Sequence, residues 1–263
     1  QEKQLTTLGS NINALEVKGT FDDCQAMVKT AFLDKNITSK IQLTSANSIN
    51  IARWLPQLFY FMFAYKKLHH KYKDIVFSVP SGNFGNLCAG MMAQQLGLPI
   101  NHFIASNNKN NVVAEYLKSQ LYTPKPSVET ISNAMDVGNP SNFIRIQEIY
   151  KNKFEILKNN MSAYSFSDYE TKDAILEIYE KYNYISDPHG AVGYLGCKAH
   201  LKKNPNAYCV FLETAHPSKF LDIVEDIIKK KQPLPKQIQS VIEKDKIATT
   251  ISNYEDLKEY LLK

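Results

Sequence analysis

Apolar residues recur along this chain in two rhythms, short continuous runs and longer segments at three- and four-residue spacing. Ile12–Val17 reads as a strand broken by Gly19. Phe21, Cys24, Met27, Val28, Ala31 and Phe32 then fall at helical spacing, which predicts a helix over Asp22–Leu33. Asn50–Tyr65 is apolar nearly all round, the pattern of a helix buried between layers. Ile75–Val79 is a short apolar run ended by Pro80, and Leu87–Leu96 is a helix stopped by Gly97 with Pro99 behind it. Ile100–Ala105 is the next strand. Helices follow over Asn142–Leu157, Tyr169–Tyr182 and Ala191–Leu201, then a strand over Tyr208–Leu212. A helix over Phe220–Lys230 and a short amphipathic one over Tyr254–Leu262 complete the set.

Strand–helix–strand units at this pitch predict an α/β fold whose parallel sheet is covered by helices on both faces. Such sheets bind ligands beyond the C-terminal ends of their strands. The turns after Val79 and Leu212 are therefore where chemistry is expected.

Composition narrows the picture. The 263 residues are 44% hydrophobic and 22% charged, as in a folded protein that is neither disordered nor collagen-like. The longest mostly apolar run, around Leu55–Tyr65, is interrupted by Pro56 and Gln57 and is too short to span a bilayer, so no membrane partner is expected. The opening Gln-Glu-Lys-Gln-Leu lacks the order of a signal peptide, and a cytoplasmic location is expected. The chain starts without Met, as a processed or truncated piece would. The net charge of +5 comes from scattered lysines, with no basic run longer than Lys229-Lys230-Lys231, which argues against nucleic acid as a partner. Arg53 and Arg145 are the two arginines, and planar anion recognition favours that side chain. Cys24, Cys88, Cys197 and Cys209 form no CxxC pair, and no metal site is expected.

Two turns carry candidate chemistry. In Val79-Pro80-Ser81-Gly82-Asn83-Phe84-Gly85-Asn86-Leu87, two glycines three apart precede a helix start. Backbone N–H groups there can surround one phosphate, aided by the positive end of the helix. The segment matches neither G-x-G-x-x-G nor a P-loop, and a plain tight turn is the favoured reading of this pattern alone. In Glu213-Thr214-Ala215-His216-Pro217-Ser218-Lys219, the Thr214 hydroxyl stands at a strand end. It can donate to or accept from a heterocyclic nitrogen, or it can close a turn before the helix. His216 reads as a turn residue. Asp187 and His189 either line the site or cap a helix. Trp54 and the aromatic run Phe59–Phe63 are expected in the core.

Several segments together resemble the threonine synthase family, pyridoxal 5'-phosphate (PLP) enzymes of the tryptophan-synthase-β-like fold type II. The two turns resemble the family's cofactor-phosphate loop and the segment beside its pyridine ring. Gly19-Thr20-Phe21-Asp22-Asp23-Cys24-Gln25, Asn47-Ser48-Ile49-Asn50-Ile51-Ala52-Arg53, Ser141-Asn142-Phe143-Ile144-Arg145 and Asp187-Pro188-His189-Gly190-Ala191-Val192-Gly193 are similar to further family blocks, in family order. The resemblance runs from about Leu5 to the C-terminus.

The resemblance implies conversion of O-phospho-L-homoserine and water to L-threonine and phosphate. It implies that Gly82, Asn83, Phe84, Gly85 and Asn86 hold the PLP phosphate and that Thr214 meets the pyridine nitrogen. Asn86 stands where many members have Asp. Asn47, Ser48, Asn50, Arg53 and Arg145 are candidates for the substrate phosphate, with salt bridges as the alternative use of the arginines. The family's Schiff-base lysine lies in a Phe-Lys-Asp-like segment, and no Phe-Lys-Asp occurs here. This marks the chain as a C-terminal portion without catalytic residues of its own, and Lys219 reads as a loop residue. The implied organisation is a small-lobe remnant over 1–48, the first part of the large lobe over 49–126, a helical insertion over 127–186, and the rest of the large lobe with the last helix over 187–263. A catalytically dead ligand-binding homologue, or another fold-type-II lyase such as threonine dehydratase, is the alternative.

Overall fold

A computed structural model describes residues 2–9 and 11–263 and divides into two compact units. One comprises Gln1–Thr44 with Lys231–Lys263, the other Ser45–Lys230.

In the first unit, strand β1 (Leu15–Val17) pairs in parallel with β6 (Thr249–Ile251), in register Leu15↔Thr249 to Val17↔Ile251. Helix α1 is Glu2–Thr6, α2 is Phe21–Leu33 and α3 is Lys35–Thr38; α12 is Lys236–Ile242 and α13 Tyr254–Leu262. A reciprocal capping box between Thr20 and Asp23 starts α2, and Asn253 with Asp256 starts α13 in the same way. Asp34, between α2 and α3, accepts from Lys258 Nζ, Tyr254 Oη and the Asn36 N–H, which together hold its carboxyl down at about 2. The partition thus differs from the four sequence-derived segments. Residues 231–263 join the N-terminal segment because β6 supplies the hydrogen-bonding edge that β1 needs.

The second unit is built on a four-stranded parallel sheet of order β4-β3-β2-β5. The strands are β2 (Ile75–Pro80), β3 (His102–Asn107), β4 (Met161–Ser165) and β5 (Tyr208–Phe211). β2 is central and buried along its whole length, so both faces are covered and no regular polar–apolar alternation is visible in its sequence. Phe77, Val79, Phe103 and Ala105 face the core shared with α4 (Trp54–Leu68), α5 (Gly85–Gln95) and α7 (Phe143–Ile149). The opposite face is covered by α10 (Pro188–Leu201), with α9 (Asp168–Tyr182) and α11 (Leu221–Ile228) packed behind it. There Ser78 Oγ donates to the Gly193 carbonyl of α10 at 2.6 Å.

Four sequence expectations need correction. The continuous helix over Asn142–Leu157 is two, α7 and α8 (Phe154–Asn160), because Lys151 and Asn152 both adopt positive φ. Residues 127–186 are not wholly helical, since β4 lies within them at the sheet edge. Helix α6 (Val112–Ser119) was not foreseen at all. Finally, α4 is not buried all round. Trp54, Leu58 and Phe61 are in the core, whereas Leu55, Phe59, Tyr60 and Phe63 are exposed within this unit. No described helix is long and apolar enough to cross a membrane.

Candidate cofactor site

The chain leaves β2, travels outward through β3 to β4, and returns on the other side of β2 as β5. The order reverses between β2 and β5, and at such a reversal the connecting loops diverge and leave a crevice beyond the strand ends. A cavity of about 510 Å³ opens there. Its walls include Gly82–Asn86 after β2, Leu212–Ala215 after β5, and Ser48, Tyr60, Met135 and His189 from neighbouring segments.

The turn after β2 is packed from every side. A Cβ on Gly82 would come within 2.6 Å of the Met135 Cα, and one on Gly85 within 2.5 Å of the Ser48 Cβ. Only glycine allows the Met135 backbone and the Ser48 side chain to approach so closely. Phe84 carries φ +64° and buries its ring against Phe143. A left-handed non-glycine residue costs about 1–2 kcal/mol, so packing holds it there. Asn86 Nδ2 donates to the Pro80 carbonyl at 2.9 Å, tying the strand end to the helix start.

These constraints hold the backbone of the turn at the cavity wall. Among the described residues, none accepts from the N–H groups of Gly82, Asn83, Phe84, Gly85 or Asn86, all of which line the cavity. Five adjacent donors without a protein acceptor, at the positive end of an 11-residue helix, form an anion cradle.

The side chains of the turn look outward and fix it. Asn83 Oδ1 accepts from the Ser141 N–H at 2.7 Å and from its hydroxyl at 2.9 Å. Asn142 Nδ2 donates to the Asn83 carbonyl at 2.9 Å and to Ser48 Oγ at 3.0 Å. Arg145 donates to the carbonyls of Ser48 (2.8 Å) and Ile49 (2.6 Å) and to Asn142 Oδ1 (2.9 Å), with its guanidinium over the Trp54 ring at 5.2 Å. Asn50 accepts from the Ala52 N–H and donates to the Ser45 carbonyl, and Asn47 Oδ1 accepts from Ser48 Oγ.

The structure therefore brings Ser48, Gly82–Asn86 and Thr214 to one cavity. Asn47, Asn50, Arg53 and Arg145 are not among its lining residues, and Arg53 is exposed. On the β5 side, Thr214 is exposed and its hydroxyl has no described protein partner. His216 Nδ1 accepts from the Ser218 N–H at 3.1 Å and caps a short 3-10 turn, Pro217–Phe220.

Two contributors are hard to read from sequence. The 3-10 turn Asn133–Met135 lies against Gly82 and is pinned by Asp136. That carboxylate accepts from Thr130 Oγ1 (2.7 Å), Asn108 Nδ2 (2.8 Å) and Asn110 Nδ2 (3.0 Å), and burial raises its pKa above the ordinary value. At the start of α10, Asp187 accepts from the His189 N–H at 2.8 Å, a helix cap that Asp-Pro-His already signals. His189 Nε2 accepts from the Ala134 N–H at 3.2 Å, so the ring proton sits on Nδ1 and is donated to Asp187 Oδ1 at 2.5 Å. Asp187 and His189 are thus both a cap and part of the site's frame.

Comparison with known proteins agrees with this geometry. A family model described as "Threonine synthase, C-terminal" matches residues 190–261. Threonine synthase of Buchnera aphidicola (from Acyrthosiphon pisum) is 43% identical over 265 residues, covering 100% of this chain and 61% of that protein. The Haemophilus influenzae threonine synthase is likewise 43% identical, with 100% and 61% covered. The crystal structure of Escherichia coli threonine synthase superposes with a TM-score of 0.94 at 39% identity, covering 99% of this chain and 60% of that one. A PLP-bound threonine synthase from Brucella melitensis gives 0.84 at 30% identity, over 99% and 61%. The chain thus spans about three-fifths of the length of the relatives it matches. Its fold is the fold-type-II, tryptophan-synthase-β-like class, and along its whole length the chain is similar to threonine synthases.

Proposed function

We propose that this chain forms the cofactor-holding part of an enzyme that converts O-phospho-L-homoserine and water to L-threonine and phosphate with PLP. The observation that carries the reading is the row of five backbone N–H groups from Gly82 to Asn86, unsatisfied by protein and facing a cavity at the sheet's reversal point. A phosphate monoester fits them, since it offers several acceptors and negative charge where the helix end is positive. The relatives' names and the PLP-bound Brucella structure point the same way.

When bound, PLP supplies the electron sink that lets protons leave Cα and Cβ of the substrate. The residues of this chain bind and orient. Gly82–Asn86 hold the cofactor phosphate through the main chain. Thr214 meets the ring nitrogen with a neutral hydroxyl, which does not enforce a pyridinium. Ser48 is the substrate-side group at the cavity wall. Asn50 and Arg145 keep the Ser48 segment in place, and Arg53 and Asn47 stand at the entrance to α4. The covalent linkage to PLP needs a lysine in a Phe-Lys-Asp context outside these residues, so the 263-residue chain alone is expected not to make threonine.

Borohydride reduction of the natural full-length protein followed by peptide mass spectrometry tests this reading. An adduct on a lysine preceding the sequence described here is the expected result. A protein that takes up no PLP, or threonine formation by the 263-residue chain, would overturn it. Threonine release from phosphohomoserine, compared with deamination of threonine or serine, separates this activity from that of a dehydratase.

A further inference from the structure

Asp187 is fully buried, and its Oδ2 meets no N–H or O–H donor in the structure. A buried carboxylate oxygen without a donor carries a desolvation cost of about 1–3 kcal/mol or more, so such an atom calls for an explanation. The carboxyl of Glu213, the residue before Thr214, lies against the same helix start, between Ser186 and Gly190 and beside Asp187. Glu213 as a residue is exposed, but its carboxyl end turns inward. Ser186 Oγ donates to its Oε1 at 2.9 Å, and a Cβ on Gly190 would meet Oε1 at 2.3 Å and Oε2 at 2.4 Å. Two ionised carboxylates in contact beside a buried helix start repel; one proton between them converts the repulsion into a hydrogen bond.

We propose that Glu213 and Asp187 share one proton, and that this proton latches the Thr214 turn onto the start of α10, making Glu213 a positioning residue of the cofactor cavity. Glu213 carries the proton, because Asp187 is kept ionised by the donors it already has, the His189 N–H and Nδ1–H. The proton is donated from the Glu213 carboxyl to Asp187 Oδ2. Burial, and then the bond to Asp187 and its charge, push Glu213 up to about 8. Burial alone would raise Asp187, yet the donors from His189 and Glu213 leave it below its ordinary value. The other titratable group facing the pair is Tyr184, whose pKa is raised by burial and by both carboxyls. No cation is described against them.

The latch joins the two sides of the cavity through one residue. Asp187 holds His189, which holds the Ala134–Met135 turn over Gly82; through the proton, Asp187 also holds Glu213 and hence Thr214. Above the Glu213 pKa the second bond becomes a repulsion, and the Thr214 turn is released while the Gly82 turn stays in place. The role toward the cofactor rests on the function proposed above; the shared proton itself does not.

The test uses the full-length protein and the variants E213Q and E213A. Gln at 213 keeps a neutral donor to Asp187 Oδ2 and cannot ionise; Ala removes the bond. Infrared spectroscopy of the PLP-free protein should show a protonated-carboxyl band near neutral pH that is absent from E213Q and lost from wild type as pH rises past about 8. Hydrogen exchange of residues 211–219, corrected for intrinsic rates, should lose protection above that pH in wild type, keep it in E213Q and lack it at all pH values in E213A. If only the latched form binds, wild-type affinity for PLP should fall about 30-fold more than that of E213Q between about pH 7 and 9.5. Absence of the band overturns the shared proton, and equal exchange profiles in wild type and E213Q overturn the latch. Should either variant fail to fold, the wild-type band and its pH midpoint still decide. Failure of PLP to bind at any pH, with the band and the exchange profiles as expected, would count against the proposed function and not against the proton.

Discussion

The two turns that face each other across the cavity are built on opposite terms. The turn after β2 is saturated: Gly82 is met by the Ala134–Met135 backbone and Gly85 by the Ser48 side chain, its side chains are hydrogen-bonded to Ser141 and Pro80, and Arg145 braces the segment beside it. Its remaining hydrogen-bonding capacity is the row of inward N–H groups. The turn after β5 is sparse. Thr214 and His216 are exposed, and its polar links to the start of α10, to Asp187 and to Ser186, both run through the Glu213 carboxyl. The contrast teaches that the first turn is made by packing and is largely indifferent to pH. The second depends on one proton and should move with it.

The most disruptive challenge to the first turn is Gly82→Val. Its Cβ would meet the Met135 Cα at 2.6 Å, a backbone atom with no freedom to swing aside. We expect a loss of about 2–3 kcal/mol in denaturant unfolding together with abolished PLP uptake; unchanged stability would show that the turn has slack. Next comes Arg145→Ala, which leaves the Ser48 and Ile49 carbonyls and Asn142 Oδ1 without this donor and uncovers Trp54. A cost of about 2–4 kcal/mol is expected by the same measurement, and Arg145→Lys should recover only part of it. An effect on the KM for phosphohomoserine with stability intact would instead return Arg145 to direct substrate contact.

The sparse turn predicts smaller and differently signed effects. The folded pKa of Glu213 lies above its unfolded one, so its contribution is complete below about pH 4.5 and is lost as pH rises to about 8. Thermal stability should therefore decline over that window in wild type and be flatter there in E213Q. Parallel curves would show the two turns to be alike. Thr214→Val should change unfolding by no more than about 0.5 kcal/mol, while weakening PLP binding about fivefold through one lost hydrogen bond. The mildest test is Arg53→Ala, an exposed change outside the cavity wall expected within about 0.5 kcal/mol and without effect on PLP affinity.

Much of the first turn was legible because Val79-Pro80-Ser81-Gly82-Asn83-Phe84-Gly85 carries its own punctuation: a buried strand, a Pro stop and two glycines in one short stretch. The helix start at Asp187-Pro188-His189 was legible for the same reason. The break between α7 and α8 was not. It falls at Lys151 and Asn152, with no Gly or Pro, and is stabilised by the Asn152 N–H donating to the Gln147 carbonyl and its side chain to Glu148. β4, Met-Ser-Ala-Tyr-Ser, is an edge strand with half-buried small and polar residues that show no clear alternation. Nor could spacing foresee Glu213 with Asp187, because they become neighbours only when the sheet aligns β5 with the start of α10. What the sequence showed were features fixed by nearby residues. What it hid depends on contacts between distant ones.

The pairing of Leu15–Val17 with Thr249–Ile251 carries a consequence for biogenesis. During synthesis, the strand at Leu15 leaves the ribosome long before its partner exists, while every residue of the Ser45–Lys230 unit is translated in between. The central unit can therefore condense on the nascent chain, whereas residues 15–17 must wait with an open edge until Thr249–Ile251 has been made. A premature stop ahead of Thr249 would leave a well-folded Ser45–Lys230 unit preceded by an unpaired strand. A chaperone or a protease would meet such a product at residues 15–17, far in sequence from the site of the lesion.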